Sequence, residues 1–250
     1  MNRSVNVAAA LLAGAVVLTA SPSANGNQAY HCPLPRFGPG SSYRPVIAPG
    51  RFGPHVDNPW FPLPPGVTYV YEGYDSGHRS IDVLAPSRRT KVVDGVRTRV
   101  VHDRLYTDGV LSERTSDYYA QDRCGNVWYF GEDTAELDER GNVVSREGSW
   151  HAGVAGAQPG VFMQVHPQPH RRFRQEWAPP SAEDQFSVIS RGRPVTVPYG
   201  HFGRALRTRE TTAVEPGVVD RKVYVRGVGE VVERSIRGGN DRLVLVDVLR

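Results

Sequence analysis

The carboxylates are the side chains in this sequence with the plainest chemical use. Glu132-Asp133, Glu147, Glu176 and Glu183-Asp184 could supply an acid and base pair for hydrolysis of a sugar or an ester. The competing reading of Glu132-Asp133 is decoration of a strand end. Glu147 stands apart because Gly148 and Trp150 follow it, where a glycine-rich stretch leaves the strand pattern. A carboxylate beside an aromatic wall can bind a cation or a polar ligand, or pair with an arginine such as Arg174. Other chemistries are poorly served. Gly148-Ser149-Trp150-His151-Ala152-Gly153 superficially resembles the turn that presents a nucleophilic serine, but Glu147 stands where the first glycine belongs and no helix pattern follows. There is no His-Glu-x-x-His and no Cys-x-x-Cys, and two prolines separate His166 from His170. No metal site and no cofactor are expected.

The stretch from Gly148 to Trp177 is the preferred location for a site. It is irregular, yet too rich in apolar residues for plain disorder, and long irregular segments inside compact domains are usually functional. Val161, Phe162, Met163 and Val165 should pack inward. Glu147, Trp150, Met163, His166, Arg174 and Glu176 form the candidate ligand-binding set. The alternative is a structural loop that seals one end of a curved sheet.

The elements around this stretch read as strands. Thr68-Tyr69-Val70-Tyr71-Glu72 alternates β-branched and aromatic residues, and Ile81 to Leu84 follows the Asp75-Ser76-Gly77 turn. Asp94-Gly95 between Val92-Val93 and Val96 is a hairpin signal, because both residues tolerate positive φ. Further strands run from Val100 to Tyr106, Leu111 to Gln121 and Val127 to Phe130. After a short helical turn expected at Ser181 to Phe186, six more follow, the last from Leu243 to Leu249. No sustained helical stripe occurs. The fold class is mostly β, a curved antiparallel sheet or open β-barrel with long loops.

The first 26 residues read as a signal peptide: Arg3, an uncharged apolar run from Val5 to Ala20, then Ser21-Pro22-Ser23-Ala24. A membrane-spanning helix would need a run of about 20 strongly apolar residues, and this one is shorter and diluted by Ala and Gly. The exact bond is left open among Ala20, Ala24 and Gly26. Residues 27–66 form a Pro/Gly-rich arm, and residues 67–250 a single β domain. The arm's end, Asp57-Asn58-Pro59-Trp60-Phe61-Pro62-Leu63-Pro64-Pro65-Gly66, reads as a cap over a sheet edge or as an aromatic ligand contact. Export permits a Cys32–Cys124 disulfide, against the alternative of two unrelated thiols. The net charge of +4 comes almost wholly from interleaved arginines. The densest cluster, His170-Arg171-Arg172-Phe173-Arg174, is too short for a nucleic-acid footprint. No nucleic-acid partner is expected, and no integral membrane segment after cleavage.

Asp57 to Leu63, Tyr118-Tyr119-Ala120-Gln121-Asp122, Gly125 to Glu132 and Glu147-Gly148-Ser149-Trp150 together resemble a group of uncharacterised secreted bacterial proteins, over residues 45–248. The resemblance implies export and brings no activity with it. Tyr224 to Val231 is similar to the strand turn of lipoprotein-carrier-like half-barrels, which hold apolar ligands. The reading is therefore a secreted, non-catalytic protein that binds a small apolar or amphipathic ligand in the cell envelope or outside the cell. The alternatives are a secreted hydrolase pairing Glu147 with Glu176 or Glu132, and a structural or interaction protein. The binding reading demands a mostly apolar cavity of several hundred Å3. Oligomeric state is left open.

Overall fold

The computed structural model describes residues 32–250. The signal-peptide reading of residues 1–26 lies outside the described residues.

The first strand, β1 (Phe52–Gly53), belongs to the arm, which otherwise contains two short 3-10 turns at Gly40–Ser42 and Pro49–Arg51. The long meander follows: β2 (Thr68–Asp75), β3 (His78–Val93), β4 (Val96–Thr107), β5 (Val110–Asp122) and β6 (Val127–Leu137). Its hairpins turn at Ser76-Gly77, Asp94-Gly95 and Asp108-Gly109, each pair with positive φ, as the right-handed twist of a two-residue hairpin requires. The middle of the chain carries β7 (Val143–Ser145), β8 (Trp150–His151), β9 (Gln158–Met163), β10 (Arg172–Arg174) and β11 (Glu176–Trp177). A second meander completes the fold: β12 (Gln185–Val197), β13 (Gly200–Thr211), β14 (Val219–Val225), β15 (Gly229–Arg237) and β16 (Arg242–Leu249). The helical turn expected at Ser181 to Phe186 is not formed: a β-turn closes at Ser181, whose N–H donates to Ala178, Ala182 bridges to Ala178, and Gln185 and Phe186 already belong to β12.

All of these strands join one antiparallel sheet, ordered β10-β12-β13-β14-β15-β16-β2-β3-β4-β5-β6-β9-β11, that nearly closes into a barrel with a seam. The seam falls at Gln175. β10 pairs with β12 and β11 with β9, so the six residues Arg172 to Trp177 stitch one edge of the sheet to the other. Gly160 makes the stitch geometrically feasible. A Cβ there would lie 2.3 Å from the backbone of Gln175.

The arm covers one end. Asn58 Oδ1 accepts from the N–H groups of Trp60 and Phe61, its Nδ2 donates to Gly125 O, and Gln121 Oε1 accepts from the N–H groups of Asp57 and Asn58. Asp122, buried at the β5–β6 turn, accepts from the N–H groups of Cys124 and Asn126, from Asn126 Nδ2 and from Trp128 Nε1. Residues of three of the motifs, Asp57 to Leu63, Tyr118 to Asp122 and Gly125 to Glu132, thus meet in a clasp between arm and hairpin. The Cys32–Cys124 disulfide spans the same contact, with a sequence separation of 92 residues. Closing a loop of that size stabilises the fold by about 4–5 kcal/mol on chain-entropy grounds.

Two apolar clusters flank the interior. The larger packs Trp128, Phe130, Val161, Met163, Phe173 and Phe186 under the arm, and the smaller packs Tyr69, Tyr71, Val223, Val231 and Leu245. Tyr119 and Tyr129 of the first and Tyr71 of the second reach one internal cavity. No helix among the described residues is long and apolar enough to cross a membrane.

Candidate functional site

A strand places alternate side chains on one face, and here that face carries acids. Asp82 stands opposite Leu105 and Leu84 opposite Asp103 across β3–β4, while Asp103 faces Thr115 and Asp117 faces Glu132 across β4–β5–β6. Two β-bulges add to the set. On β6 the register passes from Glu132 to Tyr129 while β5 advances only from Asp117 to Tyr119, so Tyr129 and Glu132, three apart, both turn inward. On β15 the register passes from Glu233 to Glu230 while β14 advances from Lys222 to Tyr224, and both glutamates face the interior. Re-aiming a side chain in this way is a recurrent use of bulges.

The barrel interior holds two adjoining chambers. The inner one, about 250 Å3, is walled by Phe61 of the arm, Tyr119, Tyr129, Phe162, Leu84 and Tyr71, and by eight carboxylates with a single lysine. The outer one, about 340 Å3, shares Asp82, Asp103, Glu132, Glu233 and Leu243 with it and reaches the turns at Asp75, Glu215 and Asp241. The arm therefore closes one end, and the turns beside the outer chamber form the mouth.

Eight carboxylates cannot all be ionised in so small a space beside one cation. Burial is the largest cause pushing Asp117 up to about 8, with Asp103 adding to it, and pushing Glu132 up to about 10, with Asp117 and Glu176 adding to it. Burial and then Asp103 raise Asp82 well above the carboxylate range, and their mutual contact holds Asp103 down relative to it. Both keep some accessible surface, which is cavity wall. The lysine is committed. Lys222 Nζ lies 3.1 Å from Glu233, 3.8 Å from Glu210 and 3.9 Å from Glu230. Burial works against its charge, but the three glutamates outweigh it and hold Lys222 well above its ordinary range. Glu230 is still pushed up to about 8 by its burial. Burial therefore favours the neutral form of these lumen acids.

The residues singled out from the sequence do not converge on one point. Glu176 is 5% exposed and lines the inner chamber. Trp150 is buried against Tyr129, with the rings edge to face at 5.5 Å; burial raises Glu176 well above its ordinary range, and the Trp150 indole N–H works against that rise. Met163 is fully buried in the larger apolar cluster. Arg174 donates to Gly38 O and lies over the Trp177 ring at 4.7 Å, so it anchors the arm and not Glu147. Glu147 and His166 are exposed and line neither chamber. Glu132 decorates no strand end. It sits mid-strand in β6 and points inward, while Asp133 points out to Lys91 Nζ at 2.9 Å and His151 Nε2 at 3.0 Å.

Asp82, Asp103, Asp117, Glu210, Lys222, Glu230 and Glu233 were not singled out by sequence reasoning. The available signal was acidic residues in the middle of strands, where Asp and Glu are depleted.

No family model and no curated protein matches this chain. Two solved structures are similar in fold. One is a protein of Bacteroides fragilis described as exported and of YmcC-like fold, 13% identical over 76% of this chain and 99% of that one, with a TM-score of 0.44. The other is described as a lipoprotein of Parabacteroides distasonis, 11% identical over 77% of this chain and 100% of that one, with a TM-score of 0.42. Likenesses this distant transfer neither activity nor ligand.

Proposed function

We propose that this is an exported, non-catalytic binding protein that holds a small amphipathic ligand in the lumen of a single β domain, closed at one end by its N-terminal arm. The observation that carries the reading is the inner chamber: about 250 Å3, lined by aromatic rings and carboxyl groups together. The mostly apolar cavity expected from the sequence is not what the strands enclose, because their inward faces carry acids; of the two ligand classes named, this mixed wall favours the amphipathic one. An apolar ligand would leave the carboxyl groups without hydrogen-bond partners, and burial without a partner is unfavourable. Export is supported by the signal-like residues 1–26 and by the Cys32–Cys124 disulfide, which suits an oxidising compartment.

Native mass spectrometry of the mature protein recovered from its source cells tests the reading. Wild type should carry a small dissociable mass, and Leu84→Trp, whose indole fills the inner chamber, should not. Bare protein in both cases, or the same added mass in both, overturns it.

A further inference from the structure

We infer that the polar end of the lumen ligand is an ammonium group, received at the barrel seam by the side-chain oxygens of Gln175 and Glu176. The inference rests on the lumen-binding reading and adds the ligand's chemical class.

Gln175 is 4% exposed and Glu176 5%, and both line the inner chamber. Neither Oε1 of Gln175 nor Oε2 of Glu176 has a hydrogen-bond partner. The orientation of the Gln175 amide is set by its Nε2, which donates to Glu210 Oε2 at 3.3 Å and leaves Oε1 turned elsewhere. Trp150 Nε1, itself buried and without a partner, acts on Glu176, but one N–H cannot serve both oxygens, and buried acceptors left short of donors are rare in folded proteins. An ammonium brings three N–H donors and the charge the acid lacks.

The protein does not supply that charge. Lys222 is shared among Glu210, Glu230 and Glu233. Arg174 precedes Gln175 but is engaged by Gly38 O and Trp177 outside the chamber. Among the described residues, no Lys, Arg or His lies within ion-pair distance of Glu176.

A divalent metal ion fits less well. Ca2+ or Mg2+ gathers about six oxygens around one point. Among the described residues, only Cys32, Asp122 and Cys124 bring three ligand-type atoms within reach of one ion, and both sulfurs are in the disulfide. The lumen acids are spread along the walls, an arrangement suited to hydrogen-bonding a small ammonium and not to chelation. The rest of the ligand has its counterpart in Phe61 and Phe162, whose ring centroids are 4.5 Å apart at the closed end.

Calorimetric titration at pH 8 with octylammonium chloride and with 1-octanol separates the parts of the argument. Wild type should bind octylammonium about 10- to 100-fold more tightly than octanol, the range expected for hydrogen bonds to a charged group. Glu176→Gln should lose most of that preference while binding octanol as before, and Gln175→Leu should lose several-fold of it. Unchanged far-UV circular dichroism establishes that each variant is folded. Equal binding of both compounds by wild type, or a preference that survives in both variants, overturns the ammonium assignment and leaves the lumen reading standing. Binding of neither compound overturns both.

Discussion

Replacing Asp117 by asparagine should change how stability depends on pH. Asp117 stands opposite Glu132, is buried, and accepts from the Tyr129 hydroxyl at 2.7 Å. Burial first, and Asp103 next, push its carboxyl from the ordinary 3.8 up to about 8. Below pH 3.8 the group is protonated in both folded and unfolded chains, and its contribution to stability is complete. As pH rises toward 8 only the folded chain keeps the proton, and each pH unit removes about 1.4 kcal/mol. Between pH 5 and pH 7 the wild type should therefore lose about 3 kcal/mol from this group, equivalent to about 6–12 °C in Tm for a chain of this size. The asparagine side chain keeps the shape and the acceptor oxygen and has no proton to lose. Urea unfolding of both proteins at pH 5, 6 and 7 supplies the test. The variant should gain on the wild type by about 3 kcal/mol over that range. A difference that stays constant with pH would refute the claim that the lumen acid is held protonated.

Two further substitutions probe the frame around the lumen. Asp122→Ala strips the partners from the N–H groups of Cys124 and Asn126 and from the Trp128 indole, and should cost about 3–5 kcal/mol in denaturant unfolding. A loss under about 1 kcal/mol would mean that the clasp is dispensable. Gly160→Ala places a Cβ against the Gln175 backbone and should open the seam. Amide exchange at Gln175 and Trp177 should accelerate at least about tenfold while the β3–β4 hairpin is unchanged; unaltered exchange at the seam would contradict the stitch.

The outer logic of the fold was legible in the sequence because it rests on local chemistry. Ser76-Gly77, Asp94-Gly95 and Asp108-Gly109 are residues that accept positive φ, and each turns a hairpin. Cys32 and Cys124, the only cysteines, are joined. The lumen was hidden for two physical reasons. A strand with polar residues on one face reads as facing solvent, and nothing local distinguishes water outside a barrel from a polar cavity within it, as at Asp82 and Asp103. The bulges at Gly131 and Val231 also break the period of two, so Glu132 and Glu230 fall off the inward face when positions are counted along the chain. The stretch from Gly148 to Trp177 did prove to hold Glu176, because the residues that close the seam lie there. Glu147, chosen for the Gly148 and Trp150 that follow it, and His166, chosen from within that stretch, lie on the surface.

The central claim is that the lumen keeps protons on its carboxyl groups in place of a cation that it is built to receive. The most direct measurement is the number of protons exchanged when octylammonium binds at pH 7, obtained from titrations in two buffers of different ionisation enthalpy. Glu132, pushed up to about 10, is protonated at that pH, and burial raises Glu176 well above its ordinary range. An arriving ammonium favours the ionised form, so binding should release about one proton per ligand. Binding accompanied by no release, or by proton uptake, would contradict the account.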